Sequence, residues 1–212
     1  MKRSMKLYDN VTSFLSGTLR LFFRVKVVGA ENEGAASEPV IVCANHMSNW
    51  DPVILACVTK RSVSFMAKAE LFRIPVVGGV LKLLGAFPVN RGTSDIAAIK
   101  MTLGVLKNGG DICMFPQGTR YVGVDPAQTE VKSGVGMLLN HSKVSVLPVG
   151  VYTKDYRIRL FRRVYIIIGK PRTYDSFCFA DNSREEYQRV SDEIFSDVCA
   201  LVKNAKDGAY DK

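Results

Sequence analysis

The 212-residue chain is poor in the residues on which several large enzyme classes depend. It holds only two histidines, His46 and His141, and its five cysteines (Cys43, Cys57, Cys113, Cys178, Cys199) form no C-x-x-C pair. That excludes a Cys/His zinc cluster. An odd, scattered set of thiols also points to reduced cysteines rather than a disulfide framework. Four of the five have mostly apolar or small neighbours and read as buried structural thiols. There is no Walker A sequence and no G-x-G-x-x-G turn, which removes the usual phosphate cradles. There is no G-x-S-x-G elbow, which removes the commonest serine nucleophile. No apolar run reaches the roughly 20 residues of a membrane span; the longest candidate, 74–89, is broken by Pro75, Lys82, Pro88 and several glycines. The basic N-terminus is not followed by the apolar stretch and cleavage site of a secretory signal. Acidic residues are scarce beside basic ones, 20 against 29, giving a net charge of +9. Such a surface suits an anionic partner, although nucleic acid is not expected, because no recognition motif or interleaved aromatic–basic surface is present.

What the chain has in quantity is alternation. Hydrophobic content of 47% and charged content of 23% fit a folded domain, and the length suffices for one sizeable core. Residues 1–28 stand apart. Leu7, Val11, Phe14, Leu15, Leu19 and Phe22 recur at helical spacing, and Lys2, Arg3, Lys6, Arg20, Arg24 and Lys26 face a single acid, Asp9. Such a basic amphipathic helix either lies in a membrane interface or packs on the domain's own core. Residues 29–39 read as a loop. Short apolar runs then predict strands at 40–44, 62–67, 86–89, 111–115, 144–151 and 164–168. Helices are expected after Asp51-Pro52, with Asp51 as N-cap; over 76–84; from Thr93 or Ser94 to Lys107, stopped by Gly109-Gly110; over 131–141; and after Ser183, which with Glu186 predicts a capping box. The apolar side of this last helix is Tyr187, Val190, Ile194, Val198 and Leu201. The pattern predicts an α/β fold: a single domain at 29–212 with a mostly parallel central sheet covered by helices on both faces, preceded by the amphipathic helix at 1–28. Ligands in such sheets bind outside the carboxyl ends of the strands. Three polar stretches follow strands here: NHMSNWD at 45–51, NRG at 90–92 and PQGTR at 116–120.

The first of these sets His46 five positions before Asp51. Histidine is the natural general base near neutral pH. A carboxylate on its second ring nitrogen fixes the tautomer and stabilises the imidazolium. The alternative is a polar loop in which Asp51 only caps the helix. In the third stretch a strand ends in Pro-x-Gly, where backbone approaches a ligand closely, and Arg120 presents a planar fork suited to phosphate. Arg91 offers a second fork, so the two arginines suggest a phosphate clamp. No nucleophile accompanies them. Ser133 falls inside a predicted helix, and no cysteine has an obviously electropositive, exposed setting, although Cys113 is near Pro116 in sequence. A His–Asp pair without a nucleophile points to a base that activates a substrate's own hydroxyl. A second basic run is formed by Lys154, Arg157, Arg159, Arg162, Arg163, Lys170 and Arg172.

Four blocks in order resemble the 1-acyl-sn-glycerol-3-phosphate acyltransferase family of the glycerolipid acyltransferase superfamily. They are H-x4-D at His46 to Asp51, GAFPVNR at Gly85 to Arg91, FPQGTR at Phe115 to Arg120, and the proline-bearing strand VLPVG at Val146 to Gly150. The segment Lys68 to Phe72 is also similar, and the resemblance covers 25–172. It implies transfer of an acyl group from acyl-CoA or acyl carrier protein, as co-substrate, to the sn-2 hydroxyl of a lysophospholipid, giving phosphatidic acid without a metal or other cofactor. It casts His46 as the base and Asp51 as its partner. Arg91, Gln117, Gly118, Thr119 and Arg120 become substrate-binding residues. Backbone N–H groups near Gly118, or in the loop after His46, would stabilise the oxyanion. The resemblance favours a peripheral location on the cytoplasmic face of a membrane, with the N-terminal helix at the membrane surface. The chain departs from the family at Gln117, where glutamate is usual. Gln keeps the shape and the acceptor oxygen but loses the charge and gains donors. Two alternatives follow: a different lysolipid acceptor, or a non-catalytic lipid-binding protein.

Overall fold

The computed structural model describes residues 16–35, 39–89 and 96–210. One sheet is built from β1 (Val25–Val28), β2 (Val40–Ala44), β3 (Val63–Lys68), β4 (Ala86–Val89), β5 (Asp111–Met114), β6 (Ser145–Tyr152) and β7 (Val164–Ile168), in the order β1-β7-β6-β2-β5-β3-β4. Every neighbouring pair is parallel except β6 with β7. The helices are α1 (Asp51–Val58), α2 (Val77–Leu83), α3 (Ile96–Lys107), α4 (Gly134–Ser142) and α5 (Arg184–Lys206), and residues 16–22 are helical as well.

The strands are continuous apolar runs because both faces of the sheet are covered. Successive side chains of a strand point to opposite faces, and β2 divides accordingly. Val40, Val42 and Ala44 join a core with Ile54 and Leu55 of α1. Ile41 and Cys43 join a second core with Leu139 of α4 and with Val190, Ile194 and Val198 of α5. Both cores are nearly dry, with β2 wholly buried. The two helices of the second core meet at Gly136, where a Cβ would lie 2.2 Å from the Tyr187 carbonyl oxygen; a side chain there would force α4 and α5 apart.

The connections define where a ligand can enter. The helix after β2 lies on one face and the helix after β5 lies on the other, and β2 and β5 are neighbours. Chains leaving adjacent strands in opposite directions open a crevice at their carboxyl ends. That crevice receives the segments 45–50 and 115–133.

Several local expectations change. Val25–Val28 forms the edge strand β1, paired with β7, where the sequence placed the end of a helical segment; Val-Lys-Val-Val has strand composition, and β7 supplies a ladder. Leu19 and Phe23 are buried in the first core, whereas Leu21 and Phe22 are exposed. Leu7, Val11, Phe14 and Leu15 lie outside the described residues, as do the proposed caps Thr93 and Ser94. The helix expected from 131 starts at Gly134, because Val131 and Lys132 are drawn out to meet Gln188 and Pro116 through backbone atoms. Ser183 caps α5 through Glu186 N–H, but Glu186 does not return the bond; its carboxylate accepts from Ala180 N–H and from Arg189 instead. Three of the five cysteines are buried rather than four; Cys178 is exposed and Cys199 half-buried. Among the described residues no helix is long and apolar enough to cross a membrane.

Candidate active site

The site begins where β2 ends. Asn45 is buried, and its amide bonds both backbone groups of Val151, donating at 2.9 Å and accepting at 2.7 Å. This extends the β2–β6 ladder by one side chain and fixes the exit of the chain. His46 follows, almost fully buried, with its ring stacked on Phe115 at 4.1 Å between centroids. Its Nδ1 lies 2.7 Å from Asp51 Oδ2, and the same oxygen accepts the backbone N–H groups of Met47 (2.7 Å) and Ser48 (2.8 Å). Asp51 is therefore not the N-cap of α1. It is the first helical residue, and its carboxylate turns back onto the preceding loop; Trp50 occupies the cap position without a side-chain bond. The geometry leaves Nε2 as the nitrogen that can act on a substrate.

Gln117 takes a role that the sequence did not indicate. It is 3% exposed. Its Oε1 accepts the backbone N–H of His46 at 2.6 Å, and its Nε2 donates to Thr129 Oγ1 at 2.7 Å, while the Thr129 hydroxyl donates to Pro126 O. Both ends of the Gln117 side chain are thus engaged inside the protein, beside the substrate contact expected from the sequence. Tyr121 N–H adds a bond to His46 O at 2.9 Å, so both backbone groups of His46 are clamped by the 115–121 segment. The far side of this segment is anchored by Asp125, which accepts from Tyr156 Oη at 2.5 Å and Lys206 Nζ at 3.1 Å. Burial, then the hydrogen bond to Asp125, pushes the Tyr156 phenol up to about 12, so it stays a donor.

The oxyanion donors suggested by the sequence are mostly committed elsewhere. Gly118 N–H bonds Phe115 O at 2.9 Å, closing a turn in which Gly118 adopts φ 68°. Met47 and Ser48 N–H bond Asp51. A cation that the sequence reading missed stands in their place: Lys132, whose aliphatic carbons would lie 3.1 Å from a Cβ on Gly118. A pocket of about 210 Å³ is lined by His46, Gly118 and Lys132 together with Met66, Val89, Met114 and Val135. It pairs one base and one cation with an apolar slot, the common composition of a small-molecule site. No sequence signal marked Lys132; it stands 86 positions from His46.

Of the other expected site residues, Thr119 and Arg120 are exposed and do not line this pocket. Arg91 lies outside the described residues. Cys113 lines the pocket but is no nucleophile: burial first, then the neighbouring Cys43 and Asp51, raise its thiol far above its ordinary value. Among the described residues no group of three or more His, Cys, Asp or Glu side chains is arranged to hold a metal ion.

A histidine whose Nδ1 meets a buried carboxylate, at the switch point of an α/β sheet, is the feature around which the site is built. The comparisons supply the family. A family model described as acyltransferase matches residues 24–152. A 1-acyl-sn-glycerol-3-phosphate acyltransferase of Streptococcus pneumoniae is 37% identical over 178 residues, covering 82% of this chain. One of Bacillus subtilis is 31% identical over 169 residues, covering 78% of this chain and 82% of that protein. The crystal structure of the 1-acyl-sn-glycerophosphate (LPA) acyltransferase PlsC from Thermotoga maritima matches with a TM-score of 0.65 at 26% identity, covering 92% of this chain and 78% of that one. The chain belongs to the acyltransferase family, among the relatives of the 1-acyl-sn-glycerol-3-phosphate acyltransferases. It spans 65% of the length of the Streptococcus protein.

Proposed function

We propose that the chain transfers a fatty acyl group from a thioester, acyl-CoA or acyl carrier protein, to the sn-2 hydroxyl of 1-acyl-glycerol-3-phosphate, giving phosphatidic acid and a free thiol. The observation that carries this reading is the 2.7 Å contact of His46 Nδ1 with the buried carboxylate of Asp51, at the mouth of an apolar pocket that also holds Lys132.

His46 Nε2 takes the hydroxyl proton as the oxygen attacks the thioester carbonyl carbon. Asp51 holds the ring and offsets the imidazolium charge. The tetrahedral intermediate collapses, the C–S bond breaks, and His46 returns the proton to the departing sulfur. Lys132 supplies positive charge beside the reacting groups, where the acceptor's phosphate or the developing oxyanion is stabilised in a partly dry site. Arg120, and Arg91 by resemblance, complete the phosphate contacts. Met66, Val89, Met114 and Val135 receive hydrocarbon.

The binding-protein alternative drew on Gln117; its bond to the His46 N–H supports a part in holding the catalytic loop instead. Because acceptor and product are lipids, the reaction belongs at a membrane surface, with the chain bound peripherally on its cytoplasmic face. The test is acyl transfer to 1-acyl-glycerol-3-phosphate from each donor separately. Phosphatidic acid and free thiol should form one for one with at least one donor. Silence with both donors, alongside acylation of a lysolipid that lacks the phosphate monoester, would overturn the acceptor assignment.

A further inference from the structure

The antiparallel pair β6–β7 is joined by residues 153–163, a segment that the catalytic reading leaves unused. It leaves the sheet at the same edge as His46, because the carboxyl ends of β2 and β6 are in register and the amino ends of β7 and β1 meet the end of β6. Two features converge there. One is an apolar ridge. Leu160 and Phe161 are 57% and 63% exposed, and Leu21 and Phe22 are exposed beside them. The Phe22 and Phe161 rings lie 5.9 Å apart, and Phe161 N–H donates to Phe22 O at 2.6 Å. Phe161 holds φ 61°, a left-handed conformation that a bulky side chain adopts only under constraint; the chain is bent so as to present this ring to solvent. Beneath the ridge, the buried Phe23 packs its ring 5.2 Å from that of the exposed Trp50 in the loop after β2.

The other feature is a basic cleft of about 970 Å³ next to the ridge, lined by Arg24, Lys154, Arg162, Arg163 and Lys206. Its one acid, Asp155, is already paired with Arg159 at 3.2 Å, and Lys206 is paired with Asp125. Cations beside protruding large apolar side chains are the two halves of an interfacial docking element: the apolar tips enter the headgroup boundary while the cations hold anionic headgroups. An acidic protein would match the cleft but leave the ridge over water; a bilayer satisfies both.

We propose that residues 153–163, together with the end of the N-terminal helix, form a docking face for an anionic phospholipid bilayer, with headgroup phosphates in the Arg24–Lys154–Arg162 cleft and Leu160 and Phe161 in the interface. The face turns the His46 edge towards the membrane. The proposal rests on the proposed function only for the choice of a lipid surface. It is tested with the full chain by co-sedimentation with vesicles of phosphatidylcholine, alone or mixed with phosphatidylglycerol. Each basic residue near an anionic surface raises binding about fivefold. Lys154→Ala with Arg162→Ala should therefore lower affinity for the mixed vesicles about 30-fold at low salt, and less at high salt. Leu160→Ser with Phe161→Ser should lower affinity about tenfold or more on both vesicle types. Both variants should keep the parent's circular dichroism and its turnover on a dispersed short-chain acceptor. Unchanged vesicle binding in both overturns the proposal, as does an effect confined to turnover with acyl carrier protein, which would assign the face to a protein. Binding is read without turnover, so a chain that is inactive but vesicle-bound defeats the proposed reaction and leaves the docking face intact.

Discussion

At the amino end of β5, Asp111 accepts Arg61 Nε at 2.8 Å and Nη2 at 3.1 Å and the backbone N–H of Val40 at 2.9 Å. Past the carboxyl end of the neighbouring β2, Asp51 Oδ2 meets His46 Nδ1 and accepts two loop N–H groups, while its buried Oδ1 has no hydrogen-bond partner among the described residues. Both carboxylates are buried, and both tie a side chain to backbone. They differ in the partner's chemistry. A guanidinium offers only donors, so the Asp111 cluster is static and joins β2, β5 and the chain before β3. Imidazole carries two ring nitrogens that can each donate or accept, so the contact of Asp51 with Nδ1 at the other end of the sheet leaves Nε2 as the nitrogen that the proposed reaction uses. The lesson is that a buried carboxylate points to chemistry only when its partner can pass a proton on.

The comparison breaks most visibly at His46. His46→Ala should lower turnover by about 10²- to 10⁴-fold, and the thermal unfolding profile should stay that of a folded protein. Asp111→Ala should do the reverse. Taking the carboxylate from the largely buried Arg61, which still donates to Glu33 O, costs up to about 3–5 kcal/mol of stability, read by urea unfolding, while turnover per folded molecule is kept. A fall in specific activity as large as that of His46→Ala would erase the distinction between the two poles.

Gln117 sharpens the picture. Gln117→Leu orphans the His46 N–H, and one such buried donor costs about 1–3 kcal/mol; loosening the loop should lower kcat about tenfold with the acceptor's KM held. Gln117→Glu should restore both, because a carboxylate oxygen can accept the same His46 N–H. A change in KM alone would return Gln117 to the substrate. The smallest effect lies far from the site. Hydrogen bonds from Arg189, then from Ala180 N–H, hold the Glu186 carboxyl at about 2. A depressed folded value means that its contribution is fully present above the unfolded 4.5 and is lost as pH falls towards 2. Melting measured across that window should decline more steeply in the parent than in Glu186→Gln.

Much of the frame was legible in the sequence. β2, β4 and β7 have the bounds their apolar runs predict; β2 and β7 are buried on both faces, which leaves nothing polar to blur their ends, whereas β4 is a partly exposed edge strand. The His46–Asp51 pair was legible because five residues across a strand-to-helix turn bring the two side chains together. β1 was not, because its pairing with β7 comes from 139 residues away. Nor were the Gln117 clip and Lys132: the first depends on a His46 N–H 71 positions away, and the second on where α4 begins. Such contacts carry no local periodicity, and only the folded crevice brings them together.

The central claim is that His46 activates the acceptor's hydroxyl directly, with no acyl group resting on the protein. It is tested by mixing the chain with an acyl thioester in the absence of acceptor and following free thiol and intact protein mass, then adding 1-acyl-glycerol-3-phosphate. The account predicts no thiol and no added mass at first, and a burst of thiol and phosphatidic acid only after the acceptor arrives, absent in His46→Ala. Thiol release with the protein gaining one acyl mass before any acceptor is present would contradict it.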